Sequence, residues 1–134
     1  MTLPRIDRRF LMMLAAACAL AGAAPALAHH SFAMFDRTRE IVLVGAVREF
    51  QWTNPHSWIE IQVPNAKGGV DKWGVECTSP AVLVRAGWKS TSLKPGDVVT
   101  ITIHPLRSGE LGGSMVSVKT ADGRTLTDKS VSRP

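Results

Sequence analysis

Residues 71–88 read DKWGVECTSPAVLVRAGW and place a β-strand directly before a helix. Apolar side chains alternate at Trp73, Val75 and Cys77, which is the two-residue period of a strand with one buried face. The Ser-Pro pair that follows favours a helix start, because Ser is a common N-cap and Pro suits the first helical position. Gly87 then favours the end of a short helix. We therefore expect Trp73 to face the interior of the fold.

Further strands are predicted on both sides of this stretch. The first is long, carries Gly45 in its middle and is apolar on both faces in its first half, which predicts burial on both sides and a bulge or bend at the glycine. The second alternates cleanly, so that Glu60, like Glu76 in the third strand, is expected to face solvent. The strands predicted outside residues 71–88 are Glu40–Trp52, Trp58–Val63, Val98–His104, Met115–Thr120 and a short sixth strand, Arg124–Thr127.

The predicted element order is three strands, one helix and then two longer strands. This is the chain order of the OB-fold, a five-stranded Greek-key barrel whose helix lies between strands three and four. A first strand that bends at a central glycine suits a small closed barrel. The sequence therefore predicts an all-β fold with one helix, an OB-like five-stranded Greek-key barrel, with a small antiparallel β-sandwich as the alternative.

The first 28 residues have the three parts of a secretory signal. A basic start that includes Arg8 and Arg9 precedes the uncharged apolar run Phe10–Ala24, and Ala26-Leu27-Ala28 forms a small-x-small cleavage site. We expect a signal peptide at residues 1–28, exported by the Sec or the twin-arginine route. The mature chain is then periplasmic or secreted and has no stable membrane anchor. An OB-like domain is expected at residues 29–129 and a disordered tail at residues 130–134.

The charge of the mature chain is mild. The whole chain carries +5, and removal of three Arg and one Asp with the signal leaves 13 basic and 10 acidic side chains, a net +3. This charge and the predicted export argue against a nucleic-acid partner. Cys77 is the one cysteine left after cleavage, so no internal disulfide forms. Its inward position predicts a buried, inert thiol.

The predicted mature N-terminus begins His29-His30-Ser31-Phe32. A terminal histidine offers one metal ion both its α-amine and its ring Nδ1, and further imidazoles complete a nitrogen-rich site of the kind that favours Cu(II). We therefore consider a copper or other divalent metal site formed by His29, His30 and His56. The alternative is that the two N-terminal histidines are only a polar junction after the cleavage site. His104 is expected to be a strand-end residue.

The densest group of candidate binding residues lies in residues 52–58, WTNPHSW. In an OB-like barrel this segment is the loop between strands one and two, which flanks the usual ligand face. Trp52 and Trp58 provide apolar platforms there, and Asn54 and His56 provide hydrogen bonds. For both tryptophans a place in the core is the favoured interpretation, and the Asn-Pro pair then only shapes the turn.

Several of these motifs together resemble a family of small exported bacterial proteins that is classed only as a domain of unknown function. The resemblance rests on residues 29–32, 52–58, 79–80, 85–88 and 92–97, and it covers essentially the whole mature chain. It implies a single exported domain and no established activity, substrate or cofactor. The chain departs from the pattern at Cys77-Thr78, where smaller residues are expected.

Three hypotheses for the function follow from these observations. The first is a non-enzymatic accessory protein that binds Cu(II) through His29, His30 and His56. The second is a module that binds a small molecule, a glycan or a periplasmic protein through the face beside His56 and the Gly109–Gly113 loop. The third is an enzyme, for which the sequence offers no Ser-His-Asp order, paired carboxylates, P-loop or dinucleotide motif.

Overall fold

A computed structural model describes residues 33–128, and the elements below belong to the compact unit that begins at Met34. These residues form six strands and one short helix in the predicted order. The elements are β1 Ile41–Gln51, β2 Trp58–Pro64, β3 Val70–Glu76, α1 Pro80–Arg85, β4 Val98–Pro105, β5 Gly112–Thr120 and β6 Thr125–Thr127. Within these described residues no helix is long and apolar enough to span a membrane.

The five long strands close into a mixed β-barrel. The sheet order is β3-β2-β1-β4-β5-β6, and a further parallel pairing between β3 and β5 closes the ring, with β6 outside it. This arrangement confirms the predicted five-stranded barrel with one helix and fits the OB-like order. The antiparallel sandwich is wrong, because a parallel β3–β5 ladder joins the two ends of one continuous sheet.

The inward side chains of the barrel form a single core. β2 contributes Ile59 and Ile61, and β4 contributes Val99, Ile101 and Ile103, all as predicted from their alternation. The core also receives, from the other elements, Leu43, Val47, Val75, Cys77, Leu83, Trp88, Leu93, Met115 and Val118. Trp73 packs against this cluster, which agrees with the expectation that it faces the interior, but it is only half-buried.

β1 confirms the predicted long strand but not its predicted burial. Leu43 and Val47 face the core, whereas Val42 and Val44 are more than half exposed. The wall of a closed barrel is one sheet with its buried side inside. The outward valines of β1 are therefore exposed although they are apolar. The β-bulge lies between Val47 and Glu49, not at Gly45.

Two glycine positions explain how tightly the strands approach one another. A Cβ on Gly45 would collide with the backbone carbonyl of Gln62 on β2. A Cβ on Gly113 would lie 2.5 Å from the carbonyl oxygen of His104 and 2.7 Å from Ile103 Cδ1. β5 consequently begins at Gly112, three residues before the predicted start, because the glycines expected in a loop are the residues that let β5 reach β3 and β4.

The helix forms as the sequence predicts. Ser79 occupies the N-cap position without a side-chain capping bond, Pro80 begins the helix, and Leu83 is its buried residue. Trp88 then returns to the core with 1% exposure, and its Nε1–H donates to the backbone oxygen of Thr127 at 3.2 Å. The helix and the short β6 are thereby joined through one buried indole.

Candidate functional site

A shallow depression lies on the outer side of β2 and β3. Cross-strand pairs bring Trp58 opposite Glu76 and Glu60 opposite Gly74, and these residues point away from the core because their neighbours Ile59 and Val75 point into it. The depression has a volume of about 250 Å³. We call it the Trp58 face and define it by its lining residues Gln51, Trp58, Glu60, Lys72, Trp73 and Gly74.

Trp58 is exposed and is the principal apolar group of this face. Its residue exposure is 40%, so the core interpretation is wrong for this tryptophan. The adjacent Ser57 is fully buried and takes the inward position that Trp58 cannot share. Trp52, in contrast, packs against the core and meets Phe50 edge to face, with 5.6 Å between ring centroids, so the core interpretation fits Trp52.

The floor of the Trp58 face is open because residue 74 has no side chain. A Cβ built on Gly74 would meet no atom within 4 Å. Glu60 lies opposite Gly74 on β2 and forms an ion pair with Arg48 at the bulge of β1. Lys72 borders the same depression and is exposed. Acidic and basic side chains therefore surround the indole of Trp58 and the open space above Gly74.

The β4–β5 loop borders this face directly. The N–H of Gly74 donates to the carbonyl oxygen of Leu111 at 3.1 Å, and the Leu111 side chain is 44% exposed. The glycine-rich loop thus lies beside the Trp58 face, and its last two glycines, Gly112 and Gly113, belong to β5.

The β1–β2 loop leads directly into Trp58, the first residue of β2. Within it, the hydroxyl of Thr53 donates to the backbone oxygen of His56 at 2.9 Å, and Asn54 is exposed. This hydrogen bond fixes the loop immediately before His56.

His56 contacts a buried carboxylate. Its Nδ1 lies within hydrogen-bonding distance of Oε1 of Glu76, whose side chain is 11% exposed against 33% for the imidazole. The carboxylate only accepts, so the shared proton is on Nδ1, and a neutral imidazole then carries its lone pair on Nε2. The backbone bonds Ser57 N–Thr78 O and Cys77 N–Ser57 O continue the β2–β3 ladder to this point and hold the two side chains together.

The burial of Glu76 corrects a second expectation. Glu76 points outward as its position in the alternation predicts, but its residue exposure is only 9%. β5 runs beside it, with Ser114 in register, and His56 lies on its other side. An outward residue is exposed only where no neighbouring strand or loop covers it, and the strand alternation carries no information on that point.

A family model described as a family of unknown function (DUF6152) matches residues 17–116, about three quarters of the chain. The chain belongs to this family. The expected resemblance to a domain of unknown function is thereby confirmed. No curated protein and no solved structure matches the chain.

In this DUF6152 protein, the predicted metal ligands are not assembled within the described part of the chain. His29 and His30 lie outside residues 33–128, as do the predicted signal peptide and tail. Among the residues described, no group of three His, Cys, Asp or Glu side chains is placed to hold a metal ion. His56 and Glu76 therefore form a pair, and any metal site at His56 needs ligands from elsewhere.

The two remaining candidates from the sequence, His104 and Cys77, are both buried. His104 is 8% exposed, and its Nδ1–H donates to the backbone oxygen of Arg39 at 2.9 Å, which fits a strand-end role. Cys77 is buried as predicted, and its Sγ lies 3.8 Å from Sδ of Met115. Burial raises the pKa of the Cys77 thiol well above its usual range, and the nearby carboxylates of Asp128 and Glu76 raise it further.

Some residues of the site were missed by sequence analysis. Gly74 and Lys72 read as ordinary strand residues, and only the pairing with β2 reveals that they line a depression. Asp128 is 1% exposed and its Oδ2 accepts from the backbone N–H of Thr78 at 3.0 Å. Nothing near Asp128 in the sequence distinguishes it from an acidic residue in a tail, because its partner lies 50 residues away.

Proposed function

We propose that this DUF6152 protein is an exported, non-enzymatic binding protein that holds its ligand on the Trp58 face. The observation that carries the proposal is the exposed indole of Trp58 beside the empty position at Gly74. Single exposed apolar side chains are common on protein surfaces and need no explanation. Here the indole lines a depression together with polar side chains, which is the composition expected of a ligand site.

The position of the depression on the barrel supports the same proposal. OB-fold proteins bind ligands on the outer face of strands two and three, between the β1–β2 and β4–β5 loops. The Trp58 face lies on β2 and β3, with His56 of the first loop and Leu111 of the second loop as neighbours. The fold likeness gives the location only, and the residues on the face determine the ligand.

Export is the second part of the proposal and rests on residues 1–28. The basic start, the apolar run and the Ala26-Leu27-Ala28 site support cleavage after Ala28. The ligand is then a small molecule, a glycan or a protein of the periplasm or the exterior, and nucleic acid is not a partner. No reaction is assigned to the side chains of the face.

The binding proposal is tested with a fragment library and amide NMR spectra of protein recovered from the periplasm. We expect fragments that bind to shift the signals of Trp58, Gly74 and Lys72. Gly74→Val places a branched side chain on the floor of the depression, where a Cβ would meet no atom within 4 Å, and should abolish these shifts while the protein stays folded. Gly69→Val, in the β2–β3 hairpin, is the matched control and should leave them unchanged. Hits that cluster elsewhere, or that persist in Gly74→Val, would overturn the proposal.

A second candidate function is Cu(II) binding, and the contact between His56 and Glu76 favours it. Metal-ligating histidines commonly donate their second ring N–H to a carboxylate, which fixes the tautomer and strengthens the ligand. Glu76 fits this role, and Nε2 of His56 is then the ligating atom. The α-amine and imidazole of His29 and the imidazole of His30 are the further ligands that the sequence predicts.

Copper binding is tested by calorimetric titration and spin-resonance spectra on four proteins. The natural start should bind Cu(II) more tightly than Zn(II), since nitrogen sites follow that order. One added residue before His29 separates the amine from the ring and should remove the chelate. His56→Ala should weaken binding, and Glu76→Gln should weaken it about 10-fold or more through the supporting contact. Equal binding by all four would exclude this site, and failure of the extended form alone would implicate the N-terminus and exclude His56.

A further inference from the structure

We infer that the Trp58 face binds a neutral carbohydrate, with one pyranose ring stacked on the indole of Trp58. This inference rests on the proposed function, because it names the ligand class of the same face. The shape of the face is the first argument. Trp58 is 40% exposed and lines the same depression as Gly74, where a Cβ would meet no atom within 4 Å, so there is room for a ring next to the indole. The C–H groups on one side of a pyranose carry partial positive charge and pack against the negative face of an aromatic ring.

The hydrogen-bonding groups around the indole are the second argument. The Lys72 ammonium donates only, the Glu60 carboxylate accepts only, and the Gln51 amide does both. A sugar hydroxyl is a donor and an acceptor at once, so a ring with several hydroxyls requires both kinds of partner close together. Glu60 keeps its ion pair with Arg48 and Gln51 donates to Glu49, but a purely apolar ligand would still remove water from Lys72 and from the Gln51 carbonyl oxygen without replacing its hydrogen bonds.

The balance of charge is the third argument, and it excludes a polyanion. Glu60 is ion-paired with Arg48, and Glu76, which adjoins the face and contacts His56, adds a carboxylate. Lys72 adds one positive charge, whereas the mature chain carries a net +3. The excess of basic side chains therefore lies away from the Trp58 face, and a nucleic acid or other phosphate polymer has no complementary surface there. The positive charge of Lys72, which lines the same depression, also disfavours a quaternary amine.

The inference is tested by titrating the natural protein with two soluble neutral tetrasaccharides, one of N-acetylglucosamine and one of glucose. The amide signals of Gly74 and Lys72 report binding in every variant, and in the natural protein the indole N–H signal of Trp58, assigned from its loss in Trp58→Phe, reports it separately from the other three tryptophans. We expect at least one tetrasaccharide to shift it at millimolar concentration. Trp58→Ala should weaken the binding about fivefold or more, and Trp58→Phe, which keeps a flat ring, should weaken it less. Gln51→Ala should weaken it as well, and Val98→Ala, on the outer side of β4, should not.

The outcomes separate the carbohydrate inference from the binding proposal. If neither tetrasaccharide shifts Trp58 while fragments or choline do, the carbohydrate class is wrong and the binding face stands. If no probe of any kind shifts the residues of the face, both are wrong. Binding that survives unchanged in Gln51→Ala and Trp58→Phe also overturns the inference, and these two mild substitutions keep the test decisive if Trp58→Ala does not fold.

Discussion

Two glycine-to-alanine substitutions on neighbouring strands are expected to change stability in opposite directions. Gly74→Ala places a methyl group where no atom lies within 4 Å, and the backbone there does not have a positive φ. The substitution then acts mainly by reducing the freedom of the unfolded chain, which stabilises a protein by about 0.4–1 kcal/mol. The hydrogen bond from residue 74 to Leu111 involves the backbone and is retained.

Gly113→Ala is the unfavourable member of the pair. Its methyl group would lie 2.5 Å from the carbonyl oxygen of His104, and a backbone atom cannot move aside as a flexible side chain does. Forcing an extra carbon into packed structure costs about 1–3 kcal/mol. In a domain of this size, 1 kcal/mol corresponds to roughly 4–8 °C in Tm. Gly74→Ala should therefore melt a few degrees higher than the natural protein, and Gly113→Ala clearly lower.

Urea unfolding followed by circular dichroism measures both variants on the same scale. The reasoning about the open floor is refuted if Gly74→Ala loses more than about 1 kcal/mol, because position 74 would then be packed. The closure argument is refuted if Gly113→Ala unfolds at the same urea concentration as the natural protein. If the unfolding free energy of either variant depends on urea concentration with a different slope, its unfolded state is altered, and the comparison takes that slope into account.

Three further predictions concern processing, the core and pH. Intact-mass analysis of protein from the periplasm should give a chain that starts at His29, and recovery of the full-length chain in membranes would contradict cleavage. Trp88→Ala should cost about 3–5 kcal/mol in urea unfolding, as for other buried aromatic truncations, and Trp73→Ala should cost less because Trp73 is half-buried; equal losses would contradict the difference in burial. Because the folded-state pKa of Cys77 is raised, its contribution to stability is complete below the unfolded pKa of about 8.5 and is lost as pH rises above it. Stability measured from pH 7 to 10 should fall more steeply for the natural protein than for Cys77→Ala, and parallel curves would contradict this.

Local patterns predicted those parts of the fold that depend on neighbours in sequence. The alternation in β2 and β4 identified Ile59, Ile101 and the other inward residues, and the Ser-Pro pair before Leu83 located the helix. The same alternation already placed Trp58 on the outer side. The preference for burying a large aromatic ring led to the core interpretation instead.

The parts that sequence analysis missed depend on contacts between distant strands. Whether an outward side chain is covered depends on which strand runs beside it, as Glu76 shows beside Ser114 of β5. The valines of β1 provide the opposite case, since Val42 and Val44 look buried by composition and are exposed on a single-layer barrel. The Trp58 face likewise exists only because β3 pairs with β2, which sets Gly74 beside Glu60.

The glycine pair at the start of β5 links the closure of the barrel to the environment of His56. Gly112 pairs with Gly74 in the parallel ladder, and a Cβ there would lie 2.8 Å from Leu106 Cδ1 and 3.1 Å from the carbonyl oxygen of Gly74. A side chain at this position would displace the end of Leu106 and shift the backbone of β3 by a few tenths of an ångström, which loosens the cover of Glu76 two residues along. A more exposed Glu76 would hold the imidazole of His56 less firmly, because water would compete for the carboxylate. The glycines that let β5 pair with β3 thus also affect how rigidly His56 is positioned. Both the β3–β5 pairing and the contact with His56 lie at the end of β3 that contains Glu76.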